Sequence, residues 1–225
     1  MMKNNLDIKQ SEWDEQAKNS PDLGRQVCRT VDEAEFLKLI EDIKKKLMLE
    51  GKLDSILDVG CGNALVLNHL KGFFQNIYGT DFSVNMVEKA QSLIPQGLFS
   101  QGEADSLKFK DNQFDRVLSY SIFHYFPSVT YGYKVIHEMI RVCKKDGVVL
   151  IGDLLDKQQE ATIKGGSNLE YEKKIPHIQR YSEWLFFDLL ELQKNFVKEG
   201  YKVEVLDQPN NFKCSHYRKD IRIWV

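Results

Sequence analysis

The segment Ile56-Leu57-Asp58-Val59-Gly60-Cys61-Gly62-Asn63-Ala64 constrains this chain more than any other. It has the form of a buried strand, a glycine-rich turn and the start of a helix. Downstream, Tyr78-Gly79-Thr80-Asp81 reads as a second strand that ends on a lone carboxylate, twenty-one residues beyond Gly60. Glycine lets backbone amides approach a ligand that a Cβ would hold off. A carboxylate at that spacing is where a nucleotide-binding βαβ unit places an acceptor for ribose hydroxyls. The pattern predicts a site for an adenosine-containing cofactor.

The rhythm of strands and helices continues from there. Residues 64–74 read as a helix, and Ile77 to Thr80 as a strand. Val84 to Leu93 reads as a helix capped by Ser83. Leu98 to Gln101 is a weak strand pattern and Phe114 to Tyr120 a strong one. Val129 to Cys143 is helical, and Val148 to Ile151 is an apolar run suited to burial on both faces. A helix capped by Ser182, with Leu185, Leu189, Leu192 and Phe196 on one face, is expected to end at Gly200. Two last strands cover Lys202 to Leu206 and Ile221 to Val225. Such alternation predicts an α/β, doubly wound parallel sheet. Before it, Thr30-Val31-Asp32-Glu33 has capping-box form, and Phe36, Ile40, Ile43 and Leu47 follow at helical spacing. Residues 1–50 are therefore expected to form an N-terminal helical cap on a domain of residues 51–225. Residues 156–180 are polar and interrupt the rhythm. A connection that long is either functional or disordered, and as a functional insertion it is expected to close the acceptor site as a lid together with the N-terminal cap.

Composition narrows the function. A formal net charge of −2 offers no general attraction to nucleic acid or anionic lipid. Cys28, Cys61, Cys143 and Cys214 are far apart and form no CxxC pair, which argues against a zinc site and for a reducing compartment. No apolar run approaches the ~20 residues of a membrane span, and residues 1–10 lack a signal peptide's apolar segment. A cytoplasmic enzyme is the expectation, with no metal and with neither nucleic acid nor membrane as partner. A homodimer remains open.

The glycine turn alone does not name the cofactor. A dinucleotide site places three glycines as G-x-G-x-x-G. Here Asn63, Ala64 and Leu65 follow Gly62, and Asp58 stands directly before the turn. A buried acid suits a cationic group and suits a pyrophosphate badly. The ordered set of motifs is Ile56 to Gly62, Gly79-Thr80-Asp81-Phe82-Ser83, Glu103-Ala104-Asp105-Ser106-Leu107, Phe114-Asp115, Ser119 to Phe126 and Cys143 to Gly147. It resembles the class I S-adenosylmethionine-dependent methyltransferases, and among them the small-molecule group of types 11 and 25. The resemblance spans about Ser55 to Asp153.

The resemblance implies a Rossmann-like sheet of seven strands, mostly parallel with the last antiparallel, and S-adenosylmethionine as cofactor with S-adenosylhomocysteine as product. Asp81 would accept from both ribose hydroxyls, with Phe82 packed on the adenine. Asp105 would take the adenine amino group, with Ala104, Ser106 and Leu107 beside it. Gly60, Cys61 and Gly62 would pass close to the methionine part, with Asp58 orienting the loop or holding the amino group. Ser119 and Tyr120 would lie near the sulfonium. Bland readings compete: Asp81 as a helix cap, Asp105 as a turn residue, and Asp115 as a structural acid.

Methyl transfer to an oxygen or nitrogen of a small acceptor requires acceptor and methyl to be held in line. Ser121 to Phe126 leaves the fourth strand where ligands of open α/β sheets gather. His124 is the candidate base or positioning group there, and Tyr125 the runner-up. Tyr171, His177, Tyr181 and Trp184 are candidates to line the acceptor side. Arg218 is a candidate for meeting an anionic acceptor or for pairing with an acid. The alternatives are a cofactor-binding protein without turnover and a nicotinamide-dependent oxidoreductase.

Overall fold

A computed structural model describes residues 5–29 and 32–225. Its strands are β1 (Leu53–Val59), β2 (Phe74–Asp81), β3 (Leu98–Gln101), β4 (Phe114–Tyr120), β5 (Cys143–Leu155), β6 (Lys202–Asp207) and β7 (Arg218–Trp224). They form one sheet in the order β3-β2-β1-β4-β5-β7-β6. Pairing is parallel from β3 to β5, and β7 runs antiparallel to both β5 and β6. This is the Rossmann-like α/β sheet expected of the family, with its last strand antiparallel. The strand order reverses at β1 and β4. A crevice opens at such a switch point, beyond the carboxyl ends of the strands.

The helices are α1 (Asn5–Gln16), α2 (Leu23–Gln26), α3 (Glu33–Lys46), α4 (Leu65–Leu70), α5 (Val84–Leu93), α6 (Val129–Val142), α7 (Glu160–Gly165), α8 (Leu169–Glu172) and α9 (Leu189–Lys198). Successive strand residues face opposite sides, so neighbours feed two different cores. Leu57, Val117 and Val149 pack with Val135, Ile136 and Met139 of α6 and Leu192 and Phe196 of α9. Ile56, Leu118 and Leu150 pack on the other face with Leu39, Ile40 and Ile43 of α3. Each such side chain contributes about 1.5–3 kcal/mol by leaving water.

Several boundaries differ from expectation. The helix after the glycine turn is α4 alone, followed by a tight 3₁₀ turn at Lys71–Phe73. Phe74 is already in β2, buried and paired with Leu53. β5 runs well past Ile151. After a 3₁₀ turn at Tyr181–Glu183 the segment starting at Ser182 is not α-helical until Leu189, where Asp188 accepts from the amide of Glu191 at 2.9 Å. The apolar run before it is extended instead. The amide of Leu185 donates to the His124 carbonyl at 3.0 Å and that of Phe187 to Leu155 at 2.8 Å. Extension sends Phe186 and Phe187 into different core clusters, which a helical face would not do. Asp32 caps α3, accepting from the amide of Glu35 at 2.7 Å. Thr30 and Val31 lie outside the described residues.

Candidate active site

The loop from β1 to α4 follows directly from its glycines. Gly60 has φ of 76° and Gly62 of 52°, in the left-handed region that other residues rarely enter. A Cβ on Gly60 would meet Ile122 at 2.6 Å. The amides of Gly60 and Cys61 both donate to the Thr80 carbonyl, at 2.8 and 3.1 Å, which seats the loop on the end of β2. Asp81 then receives the Gly62 amide on Oδ2 and the Ser83 amide on Oδ1, each at 2.9 Å. Ser83 caps α5 as expected, accepting from the amide of Met86. Asp81 thus ties three elements together and keeps lone pairs free, because each carboxylate oxygen accepts twice.

Asp58 is buried, and its Oδ1 has no hydrogen-bond partner among the described residues. Burial, then the negative charge of Asp81, raises its pKa to about 8. Burial raises Asp81 to about 6 against the lowering effect of the Ser83, Gly62 and Phe82 amides. Burial also pushes the Cys61 thiol well up. A buried acid with an idle oxygen carries a large desolvation cost unless a donor or cation joins it.

Asp58, Gly60, Cys61, Gly62, Asp81 and Phe82 line one cavity, together with Ala104 and Tyr120. Four expected residues do not line it, and of these Leu107 is packed in the core. Ser119 is fully buried and donates to the Val59 carbonyl at 2.9 Å, stitching β4 to β1. Asp105 hydrogen-bonds the Tyr131 hydroxyl, and Ser106 faces solvent. Tyr131 and Glu103 line the cavity in their place.

An N-terminal cap over the site was expected, but no residue of α1 was among the expected site residues. Lys9 and Trp13 line the cavity. Lys9 donates to the Tyr125 carbonyl at 2.9 Å, Gln10 donates to the Phe82 carbonyl at 2.5 Å, and Asp14 accepts from the Ser83 hydroxyl at 2.5 Å. The only available signal was the isolated apolar spacing of Leu6 and Trp13 in a polar stretch.

A wider groove of about 1100 Å³ adjoins the cavity. Trp13, Val27, Arg29, Tyr120, Ser121 and Tyr125 line both and so form their common wall. His124, Tyr171, Tyr181 and Trp184 line the groove. His177 does not, and pairs instead with Glu183 at 2.9 Å. The His124 ring lies 4.0 Å from that of Tyr125 and 4.8 Å from that of Trp184, with Nδ1 unpartnered among the described residues. Burial, then the charge of Arg218, holds its imidazole well below the usual range, so it is neutral at pH 7. Burial likewise keeps the Tyr125 phenol protonated. Burial alone would raise Asp153, but Arg218, Arg29 and Ser121 bring it down to about 2. Arg218 is therefore ion-paired with Asp153. Asp115 is structural, accepting the Ser55 amide at 2.8 Å and Lys144 at 3.1 Å.

A model described as a methyltransferase domain matches residues 57–151, the span that builds this cavity. YcgJ, a methyltransferase of Bacillus subtilis, is 29% identical over 136 residues, which cover 57% of this chain and 53% of YcgJ. Its crystal structure superimposes with a TM-score of 0.59 at 25% identity, covering 74% of this chain and 69% of that one. Residues 57–151 thus match the methyltransferase domain family, and the sheet they help build is that of the class I S-adenosylmethionine-dependent methyltransferases. Demethylmenaquinone methyltransferase of Thermotoga maritima is 31% identical over 112 residues, 49% of this chain and 48% of that enzyme. In sequence, the matched part thus spans about half the length of these two relatives. Magnesium protoporphyrin IX methyltransferase of Synechocystis, solved with S-adenosylhomocysteine bound, shares the fold with a TM-score of 0.66 at 15% identity, covering 96% of each chain.

The methyltransferase cavity fits that cofactor on its own chemistry. The idle oxygen of Asp58 is a place for an ammonium group, and the free lone pairs of Asp81 for hydroxyls. At Gly60 the bare backbone borders the cavity beside Ile122, where a side chain would not fit.

Proposed function

We propose that this chain transfers the methyl group of S-adenosylmethionine to an oxygen or nitrogen of a small-molecule acceptor. The observation that carries this reading is the buried, unpartnered Asp58 oxygen in one cavity with Asp81. A cationic ligand there would let Asp58 give up its proton and pair with it, whereas a pyrophosphate would meet two carboxyl groups, which disfavours a nicotinamide dinucleotide.

When bound, S-adenosylmethionine supplies an electrophilic methyl group on a sulfonium. Asp58 would take the amino group, Asp81 the ribose hydroxyls and Phe82 the adenine face. With Asp105 turned to Tyr131, the adenine edge would be met by Glu103, Ala104 and Tyr131. Tyr120, Ser121 and Tyr125 would hold the acceptor at the common wall, which supplies the alignment that in-line displacement needs. His124, neutral and on the groove side, would hold or take the acceptor's proton. Its burial makes it a weak base, which suits an acceptor whose proton leaves as the new bond forms. Helix α1 and residues 156–180 would close the site against water. Their support is the pair of Glu12 oxygens that accept the amides of His177 and Ile178, at 2.9 and 3.0 Å.

Calorimetric titration with S-adenosylmethionine, S-adenosylhomocysteine and NAD tests the reading. Tight binding of the first two without the third is expected. Binding of NAD alone would overturn it.

A further inference from the structure

On the methyltransferase reading, the acceptor's chemistry is written in the donors that the groove leaves without acceptors. We propose that the acceptor carries a carboxylate on a flat, unsaturated ring system, and that Arg29 is the residue that selects it.

Arg29 stands on the common wall of the cavity and the groove. Its Nη2 donates to the Ser121 hydroxyl at 2.8 Å, and its Cζ lies 5.5 Å from the centre of the Tyr120 ring. It forms no ion pair among the described residues, so most of a guanidinium's five N–H donors are left over. Arg218, on the same groove, spends its charge on Asp153 but keeps a buried Nε without an acceptor among the described residues. The Trp184 indole N–H is in the same state, with the Arg218 Cζ 5.3 Å from its ring. Two buried donors without an acceptor among the described residues, Arg218 Nε and Trp184 Nε1, therefore lie on the same groove as the half-buried Arg29 guanidinium and its remaining N–H groups. Buried donors are ordinarily satisfied, so their clustering calls for oxygen atoms from elsewhere.

Charge agrees with the donors. Arg218, Lys9 and Arg29 act on His124 with positive sign, against Asp153 alone. Asp153 is already engaged by Arg218 and by the Ser121 hydroxyl. Asp32 and Glu35 also line the groove, but the Asp32 carboxylate is taken up in capping α3, and Asp32 is exposed to solvent.

Ring chemistry supplies the other half. The Trp13 and Tyr125 rings meet edge to face at 5.5 Å, as Tyr181 and Trp184 do at 4.2 Å. All four line the groove. Such walls favour a flat apolar body that pairs with ring faces. A planar guanidinium at one end matches a carboxylate through two parallel bonds, which a lysine cannot do. The carboxylate is the anchor in this arrangement, and it places the rest of the acceptor against the wall that the cavity shares.

The protein is first titrated with S-adenosylhomocysteine and then, saturated with it, with two matched pairs: 2-naphthoate against 2-naphthamide, and indole-3-acetate against its amide. Each acid is expected to bind about tenfold or more tightly than its amide, the advantage of a charged bidentate pair over a neutral one. Arg29→Gln should erase that preference at an unchanged melting temperature, and Arg29→Lys should keep part of it. Equal binding of acid and amide by the unaltered protein overturns the proposal, as does a preference that survives Arg29→Gln. Absence of S-adenosylhomocysteine binding would sink the methyltransferase reading. The acid and amide comparison on the free protein would then still decide the role of Arg29.

Discussion

Asp58 and Asp81 meet in one cavity, and burial raises them from 3.8 to about 8 and about 6. The folded chain therefore keeps protons that the unfolded chain has lost. Where the folded state binds more protons, stability falls as pH rises. The loss runs from the ordinary carboxylate range up to about 8, with Asp58 the larger contributor. The melting temperature of the free protein should drop between pH 5 and pH 8, and Asp58→Asn should flatten that slope. A cationic ligand at Asp58 should restore the melting temperature at the upper end, as thermal scans with and without S-adenosylmethionine would reveal. Asp81 makes a second test. Asp81→Ala should weaken S-adenosylmethionine by about 1–3 kcal/mol, the worth of hydrogen bonds to a charged acceptor. A change within about twofold in Kd would show that its carboxylate serves the loop alone. Asp81→Asn separates the two roles, since one oxygen remains to receive the Gly62 or Ser83 amide.

At the scale of elements, α1 is the part that no local pattern announced. Its side chains reach Phe82, Tyr125, Ser83 and the amides of residues 177 and 178. All of these are distant in sequence, and a helix with weak apolar periodicity carries no mark of where it will dock. Glu12→Ala should free the insertion from α1. Hydrogen exchange at the amides of His177 and Ile178 should quicken by about tenfold or more, from the loss of bonds to a charged group, while strand amides stay protected. The sequence was more legible where period and punctuation agreed. β1, β4 and α5 lie where their alternation, glycines and Ser83 cap put them. α9 was misjudged because Leu185 happens to fall in helical register with Leu189 and Leu192, although Trp184 to Phe187 is extended. Ser119 sits on the expected strand, but its hydroxyl is spent on the Val59 carbonyl, a pairing that strand periodicity does not reveal.

For the whole molecule, the two cores are divided by the sheet and not by sequence position. Residue 50 was the expected edge of a cap, yet α3 buries Leu39, Ile40 and Ile43 in one cluster with β1, β4 and β5. Lys46 at the end of α3 also binds the fully buried Asp220 of β7 at 2.6 Å. A chain beginning at residue 51 should therefore lose its cooperative melt, as circular dichroism would record. Removing that helix strips one sheet face and leaves an unpaired buried acid. Alternation along the chain was enough to foresee the doubly wound sheet. The meeting of Arg29, Trp13 and Tyr125 at one wall was not foreseeable, because it depends on how separate elements dock.

That wall has a practical corollary. Trp13 belongs to both hollows and touches Tyr125 edge to face. An indole so placed is an intrinsic optical probe. Ligand entering from either side should change its emission, and Trp13→Phe should remove the change on filling the cavity while leaving what Trp184 reports from the groove. The molecule thus reports its own occupancy without a label.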